Sequence, residues 1–169
     1  MGQAVYLGLC LLGCLIFNPL VKGDTNDTVA AKSPCPEGVL FYRSNCYEYF
    51  SSAIPWHSAE EECQNLEEGG HLATIEGSVE ANLLASYLRR RSGGSSVWTG
   101  LHAVSYRRGL RWGWSSGAPY DSRASFWNGW RPSQYSAECV SFSPSGSPRW
   151  NQYDCTVCLP YVCKYRAFY

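Results

Sequence analysis

Val97-Trp98-Thr99-Gly100-Leu101 is a short run of β-branched, aromatic and aliphatic residues that reads as a strand. The chain changes character on either side of it. Upstream, Ser92-Gly93-Gly94-Ser95-Ser96 closes a helical stretch that Ser78 can cap and that extends to about Arg90. Val79, Leu83 and Tyr87, with the neighbouring Leu84 and Leu88, form its apolar stripe; Glu76 and Glu80 open it and Arg89-Arg90-Arg91 close it, as the helix dipole favours. An earlier helix is expected where Pro55 suits the first helical position and Trp56, Ala59, Cys63 and Leu66 recur on one face. Glu60-Glu61-Glu62 fall in its early turns, and Gly69-Gly70 stops it. Before that, residues 39–42 and 45–50 read as two strands around the Arg43-Ser44-Asn45 turn. Downstream all the signals are β, at 110–114, 139–142, 149–153 and 161–165. The segment 115–137 is rich in Gly, Ser, Pro and aromatics and has no helix or strand pattern. Loops of that length inside a domain are usually functional.

Length and composition bound the answer. A chain of 169 residues has room for about one domain and a short export segment, and 45% hydrophobic against 17% charged residues excludes a disordered chain. Ala4 to Phe17 is an unbroken apolar and small-residue run, followed by Asn18-Pro19 and by Val21-Lys22-Gly23 before Asp24. That pattern is a secretory signal over 1–23, and the run is shorter than the roughly 20 residues a spanning helix needs. The mature chain is therefore expected outside the cell, without stable membrane insertion. Residues 24–34 form a polar leader carrying the glycosylation sequon at Asn26, the domain spans 35–166, and 167–169 are a tail. Loss of Lys22 leaves 13 basic and 14 acidic groups, which implies neither a nucleic-acid partner nor any other charge-driven one. The distribution is uneven: residues 24–80 hold 11 acidic and 2 basic groups, residues 81–169 hold 3 and 11.

Seven cysteines remain after removal of the signal: Cys35, Cys46, Cys63, Cys139, Cys155, Cys158 and Cys163. That density in an exported chain means disulfides. Spacing alone leaves the connectivity open and any of the seven as the odd one. Cys155-Thr156-Val157-Cys158 matches a redox or zinc half-motif, but it lacks a partner pair or a nearby histidine.

Trp98-Thr99-Gly100-Leu101 resembles the Trp-Ile-Gly-Leu strand of C-type lectin-like domains, and other landmarks follow in order. Trp56-His57-Ser58-Ala59-Glu60-Glu61-Glu62-Cys63 resembles the first helix of that family, His71-Leu72-Ala73-Thr74-Ile75 its following strand, and Tyr161-Val162-Cys163-Lys164 its closing strand. Gly100-Leu101-His102 and Arg111-Trp112-Gly113-Trp114 are similar to the small secreted branch of regenerating-islet (lithostathine-like) proteins, eggshell-matrix lectins and snake-venom lectin-like subunits. The resemblance implies an α+β fold with two helices flanking small antiparallel sheets, a long loop and three intrachain disulfides. It pairs Cys35 with Cys46, Cys63 with Cys163 and Cys139 with Cys155, and leaves Cys158 free or joined to a second chain, as a homodimer or heterodimer.

The same resemblance locates a site. Sugar-binding members hold calcium with Glu-Pro-Asn or Gln-Pro-Asp in the long loop and Trp-Asn-Asp on the next strand, whereas this chain has Arg131-Pro132-Ser133 and Trp150-Asn151-Gln152. Calcium takes about six to eight oxygen ligands. Arg131 offers none, and its charge would oppose the ion by roughly 7 kcal/mol at ~4.5 Å and an effective dielectric near ~20. Asn151 and Glu138 are the ligands left, so no metal or cofactor is expected. The expected ligand contacts are Trp130, Arg131, Ser133, Tyr135, Glu138, Asn151 and Gln152, with Arg123 nearby. Trp130 is either an exposed platform for a sugar ring or a filler of the loop's own small core, while Trp98, Trp112, Trp114, Trp127 and Trp150 pack inward. The function implied is calcium-independent binding of a glycan or other extracellular ligand; the alternative is a matrix or covalently dimerising protein. His57, His71 and His102 are far apart in sequence and no hydrolase or phosphate-loop motif occurs, so an enzyme is not expected.

Overall fold

The computed structural model describes residues 33–106, 109–133 and 138–168; the expected signal, the Asn26 sequon and Tyr135 lie outside them. The elements are β1 (Leu40–Tyr42), β2 (Asn45–Ile54), α1 (Trp56–Leu66), β3 (His71–Leu72), α2 (Ser78–Ser92), β4 (Val97–Tyr106), β5 (Gly109–Trp114), a 3-10 turn (Ser125–Trp127), β6 (Cys139–Ser143), β7 (Arg149–Tyr153) and β8 (Leu159–Arg166). The strands join into one sheet of order β1-β2-β8-β4-β6-β7, with β3 also on β8 and β5 also on β4. Every pairing is antiparallel except the Trp98–Tyr161 bridge, where β4 meets β8 in parallel. Among the described residues no helix is long and apolar enough to cross a membrane.

β4 is the wall between two cores, and alternation along the strand explains its sequence. Val97 and Leu101 enter a cluster with Leu84, Leu88, Trp127 and Trp150, whereas Trp98 enters another with Trp56, Cys63 and Leu72. The Trp98 indole donates to the Ile54 carbonyl at 3.0 Å, and the Trp56 indole donates to the Thr99 carbonyl at 2.7 Å. The Thr99 hydroxyl, fully buried, donates to the Val140 carbonyl at 2.9 Å. Gly100 is required by contact: its amide donates to Ala73 O at 3.1 Å, and a Cβ there would stand 2.7 Å from both the Leu72 carbonyl oxygen and the Ser115 hydroxyl.

The disulfides are Cys35–Cys46, Cys63–Cys163 and Cys139–Cys155, and Cys158 is free and exposed. Cys63–Cys163 spans 100 residues and joins α1 to β8; a loop of that size is worth about 4.7 kcal/mol in the chain-entropy account. Cys139–Cys155 closes the open end of the β6–β7 hairpin. Phe168 N donates to Pro34 O at 3.1 Å, and Ala167 N to Ser44 O at 3.0 Å, so both ends of the described chain are tied to the sheet.

The helices depart from the sequence reading in instructive ways. Pro55 is the N-cap of α1 and not its first helical residue. Glu60 does not serve the helix dipole; it is 7% exposed, accepts the Leu72 amide at 2.9 Å and lies 2.6 Å from His71 Nδ1. In α2 the N-cap is Gly77, not Ser78, and no side chain caps it. Glu80, at the third helical position, reaches back past the N-cap to accept the Glu76 amide at 2.8 Å, which holds the entering chain against the helix. Its other oxygen accepts Lys164 Nζ at 2.8 Å and the Tyr47 hydroxyl, whose ionisation burial and this carboxylate push far up. Turning Glu80 inward rotates the buried face to Ala81, Leu84, Ala85, Tyr87 and Leu88, and leaves Val79 at 59% and Leu83 at 39% exposure. Those two do not belong to the core stripe expected of them.

Gly100→Ala tests the motif at its tightest point. The added methyl meets backbone and cannot be relieved by a rotamer change, so the expected loss is about 1–3 kcal/mol in urea unfolding with an unchanged m-value.

A tryptophan-lined loop seated on strand β7

The loop after β5 is organised by aromatic packing. Trp127, 1% exposed, donates its indole N–H to the Asp121 carbonyl at 2.8 Å. Its ring lies 4.4 Å from Trp150, 4.5 Å from Phe126, 5.3 Å from Tyr120 and 6.0 Å from Trp114 by centroid. Asn128 (φ 50°) and Gly129 (φ 80°) then turn the backbone through the left-handed region, and Trp130 N returns to donate to Trp127 O at 2.9 Å. The inward packing expected of Trp98, Trp114, Trp127 and Trp150 is present, while Trp112 is only half-buried.

β7 is the seat of the loop. Alternation puts Trp150 and Gln152 on one face and Asn151 on the other. Trp130 stacks on Trp150 with centroids 6.3 Å apart and 28° between planes. Ser133 then meets Gln152 twice: Ser133 N donates to Gln152 Oε1 at 2.6 Å, and Gln152 Nε2 donates to Ser133 O at 3.2 Å. The side-chain amide thus pairs with the loop backbone as a neighbouring strand would. Arg131, between these two anchors, is exposed and donates to the Trp130 carbonyl at 2.7 Å. Its charge is also felt by Tyr120, whose hydroxyl is pushed up mainly by burial, against the pull of Arg131. Arg123 is exposed and lies 3.6 Å from Asp121, a solvated pair of little energetic weight.

Trp130, Arg131, Ser133 and Gln152 are therefore brought together. Trp130 falls between the two alternatives of the sequence reading, platform and loop filler: it is half-buried and leans on Trp127 and Trp150. Ser133 and Gln152, expected as ligand contacts, are committed to each other. Asn151 is opposite Ser141, and Glu138 lies three residues before Ser141, roughly 10 Å away along the hairpin. Glu138 instead supplies its carbonyl to Ala103 N at 2.7 Å. Tyr120 is the member of the cluster that sequence reading missed; it carries no motif, and only the loop's folding places it beside Trp127.

A sheet of this order, fastened by Cys63–Cys163 and bearing a long loop against β7, is that of a C-type lectin-like domain. The Lectin C-type domain family matches residues 52–165, and the chain belongs to that family. It is 36% identical to lithostathine-2 of Mus musculus over 96% of this chain and 97% of the relative. Among solved structures, human lithostathine is 34% identical with a TM-score of 0.65, covering 78% of this chain and 90% of that one. The C-type lectin domain of murine dendritic cell inhibitory receptor 2, solved in complex with N-glycan, is 26% identical with a TM-score of 0.64, covering 78% and 98%.

Gln152→Ala should free the loop from its seat. Two hydrogen bonds to part-buried backbone groups are lost, so unfolding experiments should show a cost of about 1–3 kcal/mol. Limited proteolysis should cut between residues 115 and 137 faster than in the unaltered protein.

Proposed function

We propose that this chain is an exported, non-catalytic binding protein that holds a glycan or another extracellular ligand on the loop around Trp130 and Arg131 without calcium. The observation that carries this reading is the double hydrogen bond between Ser133 and Gln152. Calcium in a loop of this kind needs oxygens from the loop and from the next strand at once. Here the strand residue that would contribute spends its amide on the loop backbone, Glu138 lies three residues along the hairpin from the Ser141 that faces Asn151, and the exposed Arg131 brings a cation to the same loop. The residues present do not fit the ion. What they offer instead is a half-buried aromatic ring with an exposed guanidinium group next to it, suited to a sugar ring that carries a carboxylate, sulfate or phosphate. Tyr135 completes this proposed set, and the N-glycan complex of the murine receptor domain supports a saccharide as ligand. Export rests on the apolar run Ala4 to Phe17 and on the three disulfides.

A second reading rests on Cys158, exposed on a turn that the Asp154 carboxylate fixes by accepting the Thr156 amide at 2.9 Å and hydroxyl at 2.6 Å. A thiol so displayed can bridge two chains. A reducible dimer on electrophoresis distinguishes that arrangement from a monomeric binder.

A glycan panel read with and without chelator tests the main proposal. Binding should be unchanged by chelator, and calorimetry should show no calcium isotherm tighter than about 1 mM, the weak end for extracellular modules; a stoichiometric isotherm below that value refutes it. Arg131→Ala should weaken a bound acidic glycan by about 1–3 kcal/mol at constant melting temperature. Trp130→Ala should weaken it similarly and also lower stability, because one face of that ring belongs to the core.

A further inference from the structure

The 11 basic residues of the second half of the chain are not spread evenly in space. Residues 81–120 and 139–153 contain no Asp or Glu at all, and the fold lays parts of these two stretches side by side. The C-terminal turn of α2 with its following loop, Arg89 to Ser96, packs against the β6–β7 connection from Ser143 to Arg149. Arg89 Nη1 donates to the Pro144 carbonyl at 3.1 Å and Nη2 to the Ser86 hydroxyl at 2.9 Å, while the Ser145 hydroxyl donates to Gly94 O at 2.8 Å. Arg89, Arg90 and Arg149 are all exposed. Arg91 leans to the far side, towards the Gly38 carbonyl and over the Tyr87 ring at 5.4 Å.

None of these four guanidinium groups enters an ion pair among the described residues; the pairs present are His71–Glu60, Arg123–Asp121, Lys164–Glu76 and Lys164–Glu80. Arg89 is held by neutral oxygens, which fix its direction and leave its charge uncompensated. The surrounding residues Ser92, Ser95, Ser96, Ser143, Ser145 and Ser147 add hydroxyls and no opposing charge. Such a surface attracts anions, and its cost of ordering on binding is already partly met.

We propose that this pole, Arg89 and Arg90 on α2 with Arg149 on β7, binds an anionic polysaccharide at a site separate from the loop. Charge alone would admit other polyanions, and the composition of the two segments discriminates. Neither contains an aromatic ring on which a nucleic-acid base could stack. Neither contains an exposed large apolar side chain that could enter a bilayer; the nearest, Leu83, lies on α2 about two turns before Arg90. Guanidinium forks with interleaved hydroxyls match sulfate or carboxylate groups repeated along a sugar chain. The proposal uses no residue of the Trp130 loop and stands or falls independently of it.

The test uses the full mature protein on immobilised heparin, with neutral dextran and anionic phosphatidylserine vesicles as comparisons. Arg90→Gln with Arg149→Gln is the informative variant, because both side chains are exposed and neither takes part in a hydrogen bond or ion pair among the described residues. The unaltered protein should bind heparin and not dextran, with affinity falling as salt rises. The double variant should bind about tenfold more weakly near 0.15 M salt, roughly the effect of two lost surface charges, and show a shallower salt dependence. Arg166→Gln, at an exposed arginine on β8, should leave heparin binding within about twofold, a change that small surface effects allow. Unchanged binding by the double variant overturns the proposal, as does loss of heparin binding in Arg166→Gln. Capture by the vesicles as strong as by heparin also overturns it, in favour of a membrane surface.

Discussion

Strand β8 carries the rest of the domain. It is bonded to β2 along most of its length, to β3 through His71 and Leu72, and to β4 at Tyr161, and its Cys163 is bridged to α1. These partners come from residues 45 to 98, so the last strand of the chain closes contacts that the first half cannot make alone. Non-local pairing of this kind has a large loop-closure cost before any contact rewards it. The Cys63–Cys163 bridge lowers that cost by confining the unfolded chain. Packing then follows on both faces of β4, with Trp98 committed to the α1 side and Leu101 to the α2 side.

Two buried carboxylates translate this arrangement into the positions of the helices. Glu60 binds the Leu72 amide and His71, which fixes α1 against β3. Glu80 gathers the Glu76 amide, Lys164 and Tyr47, which fixes the start of α2 against β8 and β2. A carboxylate this deeply placed is tolerated because each oxygen is hydrogen-bonded and a cation is near. The same geometry explains the rotated face of α2: satisfying Glu80 takes precedence over burying Val79 and Leu83, which lose less by facing water than an unpaired charge loses by leaving it.

The loop over β7 is stabilised from below by packing and hydrogen bonding. Trp127 is its core, Trp150 its floor and the Gln152 amide its fastening. This fastening is uncharged, and it leaves Arg131 displayed between Trp130 and Ser133 at the surface.

The sequence by itself determined the order and type of the elements. β-Branched and aromatic runs, the helix-stopping glycines and the 3.6-residue recurrence of Trp56, Ala59 and Cys63 are local signals, and they located α1, α2 and most strands to within a few residues. The family resemblance added the cysteine pairing, which spacing left open, and the structure has that pairing. Local signals do not report which face of a helix a buried carboxylate will claim, so the roles of Glu60, Glu80, Val79 and Leu83 were not legible. Nor do they report side-chain partners across the chain: Gln152 looked like a ligand contact until Ser133 was placed against it, Trp130 was open between platform and loop filler until Trp150 lay beneath it, and the Pro144-Ser145 turn came to Arg89 and Gly94 only through the closed sheet. Each of these depends on contacts between residues 19 to 55 positions apart, and such contacts exist only once the sheet has closed.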